Sequence, residues 1–353
     1  MAYCRKCGAK LDEDARFCRV CGTPVATVTA ATRSTALKQR RPLYLLPVAI
    51  LIAILVTAVI VSALTFLPFN PVHFNQTNQV PKANVDNLIV NFQADVAHVN
   101  VVFKNLPGNM LVLNVTAEGG VGIFDDPDRA INVTFNHQTA HNSVVVNSSI
   151  SQAVRWPMFN NLNVNCDVYI DSSANLSLTV RSSIGDIVMN ADTDLTLKSL
   201  NLETTTGSVE TSLSKDVIIA GALSLKTTTG SVQFQMDEAD VNGNISVNLR
   251  STTGSVTVDV VETEGLLGNV TMDARTTTGS VNLSMAIDND VGARIESHTD
   301  IGEISANVQN FSGNKSPLQS DNYPAGSNIL VNLRTTTGGI RINAAYQSSS
   351  VLS

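Results

Sequence analysis

Apolar and polar residues alternate one for one over most of this chain, and the alternation is broken once, by a long uncharged apolar run. Segments such as Val247-Asn248-Leu249-Arg250 and Ser255-Val256-Thr257-Val258 put every second side chain on one face. That is the period of a half-buried β-strand, and β-branched residues suit it. From Pro42 to Phe69 no residue is charged. Leu43 to Leu67 alone would form a helix about 37 Å long at 1.5 Å per residue, enough for a hydrocarbon core of ~30 Å. Pro47 falls in its first turn, where a missing N–H costs little, and Tyr44 and Phe66 lie near its ends. The pattern predicts a mostly β protein with one transmembrane α-helix over 42–67. A cleaved signal peptide ending at Val61-Ser62-Ala63 is the alternative, but the run is too long for that.

The alternating part repeats itself. Glu203-Thr-Thr-Thr-Gly207-Ser-Val recurs as Lys226 to Val232, Arg250 to Val256, Arg275 to Val281 and Arg334 to Ile340, with weaker copies around Gly185 and Gly302. Successive glycines are 22, 23, 24, 25, 23 and 36 residues apart. Two residues after each glycine stand Ile187, Val209, Val232, Val256, Val281, Ile304 and Ile340. Seven before stand Leu178, Leu200, Leu223, Val247, Met272, Ile295 and Val331. Positions apolar in every copy are expected to stack into two inward ladders, with Gly185, Gly207, Gly230, Gly254, Gly279, Gly302 and Gly338 at sharp corners. This predicts a β-solenoid over 175–345, one coil per copy in chain order. The 36-residue gap, with Phe311 to Pro317 and Tyr323 to Gly326, reads as one long loop. Residues 84–174 are strand-like without the motif and are expected to form a β-rich cap that covers the first coil. Residues 68–83 read as a linker and 346–353 as a tail. Hydrogen bonding between threonines of successive coils would account for the Thr rows.

The Thr-Thr-Gly-Ser-Val repeat at this period resembles the adhesin-like β-strand-repeat domains of bacterial and archaeal envelope proteins, over roughly residues 85–345. That resemblance implies a β-helical domain at the cell surface and no catalytic residues.

Four cysteines open the chain as Cys4-x2-Cys7 and Cys18-x2-Cys21. Two such turns offer four sulfurs to one tetrahedral ion, and Gly8 and Gly22 accept the positive φ the turns require. Structural Zn2+ held by Cys4, Cys7, Cys18 and Cys21 is the expectation for residues 1–24, with two disulfides as the alternative. Tyr3 to Pro24 resembles the short zinc-ribbon modules at the N-termini of many prokaryotic membrane proteins.

Charge orients the chain. Residues 1–41 hold nine Lys+Arg and three Asp+Glu, and residues 68–353 hold fourteen and twenty-seven. The linker 25–41 ends in Lys38, Arg40 and Arg41, which places the N-terminus in the cytoplasm and the large C-terminal domain outside. Asparagine sequons begin at Asn75, Asn114, Asn132, Asn147, Asn175, Asn244, Asn269, Asn282, Asn310 and Asn314, all after the apolar run, and are candidate glycosylation sites.

Catalytic patterns are missing from the sequence: there is no Gly-x-Ser-x-Gly, P-loop or His-Glu-x-x-His. His73, His98, His137, His141 and His298 read as surface residues and Cys166 as a small buried hydrophobe. Asp125-Asp126-Pro127-Asp128 and Asp288-Asn289-Asp290 fit turns better than calcium loops. The expected protein is therefore a membrane-anchored surface protein, non-catalytic, structural, adhesive or ligand-binding. Its expected partners are the lipid bilayer, a surface glycan or protein ligand, and a cytoplasmic protein on the zinc ribbon; nucleic acid is not expected. The alternative is a transmembrane envelope-stress sensor that relays through the zinc ribbon.

Overall fold

The computed structural model describes residues 2–12, 15–25, 45–66, 70–122, 125–153, 161–288 and 290–347. The basic linker 25–41 beyond its first residue and most of the tail 346–353 lie outside them. The chain divides into two compact units, Met1–Val59 and Ile60–Ser353.

In the first unit, β1 (Ala2–Tyr3) pairs antiparallel with β2 (Lys10–Leu11). Cys4, Leu11 and Cys18 form its small buried cluster. The helix α1 (Leu45–Phe66), which runs past the Val59/Ile60 division, has 22 residues and starts two residues inside the expected run. Its described side chains, 47–61, are all exposed. Among the described residues, no helix is long and apolar enough to cross a membrane; the described side chains cover only about 22 Å of α1.

The second unit is mostly β. It opens with β3 (Asn70–Pro81), β4 (Asn87–Val96), β5 (His98–Phe103) and β6 (Asn109–Val121). Then follow β7 (Ile131–Ala140), β8 (Ser143–Gln152) and β9 (Asn163–Ile170). The repeats supply β10 (Asn175–Ile184) and β11 (Ile187–Ala191), β12 (Leu195–Thr206) and β13 (Val209–Leu213), and the short β14 (Val217–Ile219). Next come β15 (Leu223–Thr229) and β16 (Val232–Asp237), the short β17 (Asp240–Val241), β18 (Asn244–Thr253) and β19 (Val256–Glu262). The chain closes with β20 (Asn269–Thr278), β21 (Val281–Asp288), β22 (Val291–Ile301) and β23 (Ile304–Gln309). After these come β24 (Phe311–Ser312), β25 (Leu318–Ser320), β26 (Ser327–Thr337) and β27 (Ile340–Gln347).

These strands make two sheets around one hydrophobic core. Every repeat adds its first strand to one sheet and its second to the other, parallel to the strand of the neighbouring repeat. Neither sheet closes into a barrel. Both expected ladders form, with Ile304 only half-buried at the exposed end of its row. Val209, Val232, Val256 and Val281 are Cα partners in that order and fully buried. Leu178, Leu200, Leu223, Val247 and Met272 do the same in the other sheet. A parallel stack keeps equivalent residues one strand spacing apart, so a position apolar in all copies becomes a continuous dry seam.

The order of the strands departs from the expectation at both ends. At the C-terminal end β26 and β27 lie between β20/β21 and β22/β23, so the last copy in the chain is inserted before the one that precedes it. The chain first builds the outermost pair and then returns inside it. The 36-residue spacing makes this return and is not one loop: it carries β24 and β25, and β25 pairs antiparallel with β22, covering that edge strand. The N-terminal end repeats the device, with β4 and β5 lying between β8/β9 and β10/β11. Residues 84–174 therefore share both sheets with the repeats. Antiparallel partners finish that end, β7 on β8 and β3 on β6. The expected linker 68–83 is mostly β3.

Candidate functional sites

The metal centre is built by two turns of the same design. The amide of Gly8 donates to the Cys4 carbonyl at 2.9 Å and that of Gly22 to the Cys18 carbonyl at 2.8 Å, with φ of +67° and +70° at the glycines. The turns bring the Cys4 and Cys21 sulfurs within 3.6 Å, and those of Cys7 and Cys18 within 3.6 Å. All four lie within 4.8 Å of one another. Zinc–sulfur bonds of 2.3 Å in a tetrahedron put sulfurs about 3.8 Å apart, so the cluster fits that ion. Its titration is divided. The Thr23 hydroxyl lowers Cys21 to about 6. The Lys6 amide leads in lowering Cys4. Cys7 rises to about 12: the Ala9 amide pulls it down, but the neighbouring sulfurs and burial outweigh that pull. Four thiolates at this spacing repel one another until a cation neutralises them. The zinc-ribbon domain family matches residues 3–25, and the module takes a structural Zn2+.

The repeated corner is the second constructed feature. The first hydroxyl of each of the five cleanest motif copies is buried and donates to the carbonyl of the corner glycine one strand away. Thr204 reaches Gly185 at 2.9 Å, Thr227 Gly207 at 2.8 Å, Ser251 Gly230 at 2.8 Å, Thr276 Gly254 at 2.8 Å and Thr335 Gly279 at 3.0 Å. Thr299 reaches Gly338 at 3.0 Å, in the shuffled order. The expected bonds between threonines are replaced by these hydroxyl-to-backbone bonds, which satisfy carbonyls the sharp turn would leave unpaired. The next two motif positions, such as Thr252 and Thr253, are exposed.

The other candidates stay apart. All five histidines are exposed. His298 contacts Asp300 at 2.9 Å and His98 contacts Asp186 at 3.4 Å. Cys166 is buried beside Val99, and burial raises its thiol to about 12. Asp126 caps a 3-10 turn, Pro127–Arg129, by accepting from the Asp128 amide. Asn289 lies outside the described residues. None of the sequon asparagines is buried.

Two buried acids carry information the sequence reading missed. Asp171 is held below its usual range: burial pushes it up, but the Ser173 hydroxyl and amide, the Leu106 amide and Lys82 at 3.3 Å outweigh that. Glu262 is fully buried with no hydrogen-bond partner for either oxygen among the described residues. Burial first, then the charges of Glu238, Asp237 and Asp240, raise it to about 9 against a weaker downward pull from the nearby Ala239 amide, which lies outside hydrogen-bond geometry. The alternation Val256, Val258, Val260, Glu262 was the available signal for it.

No curated protein matches the chain. A solved structure of a candidate cell adhesion protein from Clostridium sporogenes is similar at a TM-score of 0.41 and 13% identity, covering 77% of this chain and 99% of that one. A candidate adhesin from Bacteroides fragilis follows at 0.31 and 12%, covering 76% and 96%. One from Parabacteroides merdae gives 0.26 and 11%, covering 76% and 95%. These values are too low for the likeness to decide fold or function.

Proposed function

We propose that this is a single-pass, membrane-anchored cell-surface protein whose outer domain is a non-catalytic β-solenoid, shuffled at both ends, that serves structure, adhesion or ligand binding. The observation that carries the reading is α1. Its apolar side chains are exposed all round, with Ile50, Leu51, Ile52, Ile54 and Leu55 each more than half accessible. A helix apolar on every side belongs in protein or in lipid, and none of its described side chains is covered by protein. Its one described hydroxyl, Thr57, donates back to the Ala53 carbonyl at 2.7 Å, so no side-chain donor is left open. Lys38, Arg40 and Arg41 then set the N-terminus in the cytoplasm, where a reducing milieu keeps the ribbon thiols free for zinc. Between their charged residues, the outer faces of both sheets carry rows of hydroxyl and amide groups suited to contact with a ligand.

The test is topological. Protease added to intact cells should remove an epitope in 84–353 and spare one fused to residue 1. A mature chain starting near residue 64, or an N-terminal epitope lost to protease, would overturn the reading. The sensor reading has one observation in its favour: Tyr3, Phe17 and Val20 are exposed on the ribbon, a surface a cytoplasmic protein could cover. Deleting residues 1–24 should abolish signalling if the chain is a sensor and leave surface binding intact if it is not.

A further inference from the structure

Four cations of the outer domain and one histidine are far apart along the chain and adjacent in space. Lys226, Arg250, Arg275, Arg334 and His298 each stand four residues before a corner glycine, on β15, β18, β20, β26 and β22. Those strands are neighbours in that order, and each residue is the Cα partner of the next. With strands about 4.8 Å apart, the row offers one cation per strand step from Lys226 to Arg334, with the imidazole of His298 one step beyond. At its other end Glu203, the Cα partner of Lys226, pairs with Arg181 at 3.3 Å and stops the run of like charge.

Like charges directly opposite each other destabilise a sheet, and compensation within the protein is uneven. Asp273 pairs with Arg275 and, at 3.6 Å, with Arg250. His298 has Asp300. Among the described residues Lys226 and Arg334 have no ion-pair partner. At the β22 end, Arg275, His298, Arg334 and Asn332 line an open groove of about 410 Å³ together with the carboxylates of Asp273 and Glu296, which are engaged by Arg275 and Arg294. The columns on either side of the row carry Asn248, Asn332, Thr252, Thr277 and Thr336, amides and hydroxyls that suit sugar hydroxyls, and also Asp273, Glu296 and Asp300, each already paired with Arg275, Arg294 or His298.

We propose that this row binds a linear acidic polysaccharide laid across the strands, with its carboxylates on the guanidinium groups. The charge spacing favours it over nucleic acid. Duplex DNA carries one charge per about 1.7 Å of axis, several times the density of the row. Single-stranded nucleic acid is held by aromatic stacking, and the flanking columns contain no aromatic residue. A sugar acid carries one charge per ring, a spacing comparable with one strand step. This inference deepens the surface-binding reading and rests on it for where the ligand is met.

Polygalacturonate binding to the purified full chain in neutral detergent tests it. Binding should weaken as salt rises, and dextran, which is uncharged, should not bind. Arg275→Gln/Arg334→Gln should bind at least tenfold more weakly, and so should Lys226→Gln/Arg250→Gln. Arg341→Gln, on the other sheet, should match the parent. Melting curves that coincide with the parent show that each variant is folded. Failure of the parent to bind, undiminished binding by both double variants, or preference for single-stranded DNA of equal charge would overturn the proposal. The assay does not depend on which side of a membrane the domain lies, so its failure is distinct from failure of the protease test.

Discussion

Gly254→Ala is expected to destabilise the outer domain by about 4 kcal/mol, although it adds one methyl group to the chain. Gly254 has φ +142°, and a Cβ built there would sit 1.9 Å from the carbonyl oxygen of Gly230 and 3.2 Å from the Ser251 hydroxyl oxygen. Both neighbours are fixed. The Gly230 carbonyl already accepts from Ser251 at 2.8 Å, and the Gly254 amide donates to the Thr278 carbonyl at 2.9 Å. The corner can relieve the clash only by parting β15 from β18, which loosens the ladders from Val232 to Val256 and from Val247 to Leu223. Backbone strain of about 1–3 kcal/mol, a lost hydrogen bond of about 1 and overpacking of about 1–3 combine to the expected cost. Gly243→Ala is the matched comparison, because Gly243 has φ +87° but nothing within 4 Å of a Cβ. It should cost about 1–2 kcal/mol from backbone strain alone. Urea unfolding of the full chain, followed by far-ultraviolet circular dichroism, measures both. Equal losses would mean that the corners are not packed glycine on carbonyl.

The ladders were legible because they rest on composition at a fixed phase. An apolar residue two positions after every corner glycine has one cheap place to go, and parallel pairing puts it there. Strand order was not legible. Equivalent positions specify which residues stack and leave open which copy neighbours which. Val331 packs as well against Met272 as it would against Ile295, and in the fold it meets both. The one trace was the long interval before Gly338, whose second role is to shield β22. The same limit hid the cationic row. Read along the chain, Lys226, Arg250, Arg275 and Arg334 stand alone beside their corners, separated by about a full repeat. Their common phase, four residues before glycine, was visible; its consequence, a column of like charge on one face, follows only once the strands are known to be parallel and in register. At the metal centre the reverse held. Cysteine spacing and two glycines specified the turns, because a site that small is almost entirely local.

Glu262→Gln is expected to stabilise the protein, by an amount that grows with pH. The Glu262 carboxyl occupies an inward position in β19, beside Ile287 of β21, with both oxygens unpartnered. Its pKa rises from 4.5 in the free side chain to about 9 in the fold. The folded state therefore keeps the proton through neutral pH while the unfolded chain releases it. A raised pKa contributes stability that is complete below about 4.5 and is lost as pH climbs toward about 9, at about 1.4 kcal/mol per unit. Near pH 7 the loss is roughly 3 kcal/mol, and by pH 9 roughly 6. Asp171 works in the other direction: its lowered pKa contributes stability above its ordinary range and loses it in acid. The difference between parent and Glu262→Gln cancels that contribution, because Asp171 is present in both. Glutamine keeps the shape and the same unpartnered polar end, so the two proteins should unfold at nearly the same urea concentration at pH 4.5. At pH 7 the variant should be ahead by about 3 kcal/mol, and further ahead at pH 8.5. A gap that stays constant from pH 4.5 to 8.5 would show that Glu262 is solvated or paired, and that the interior at β19 is open to water.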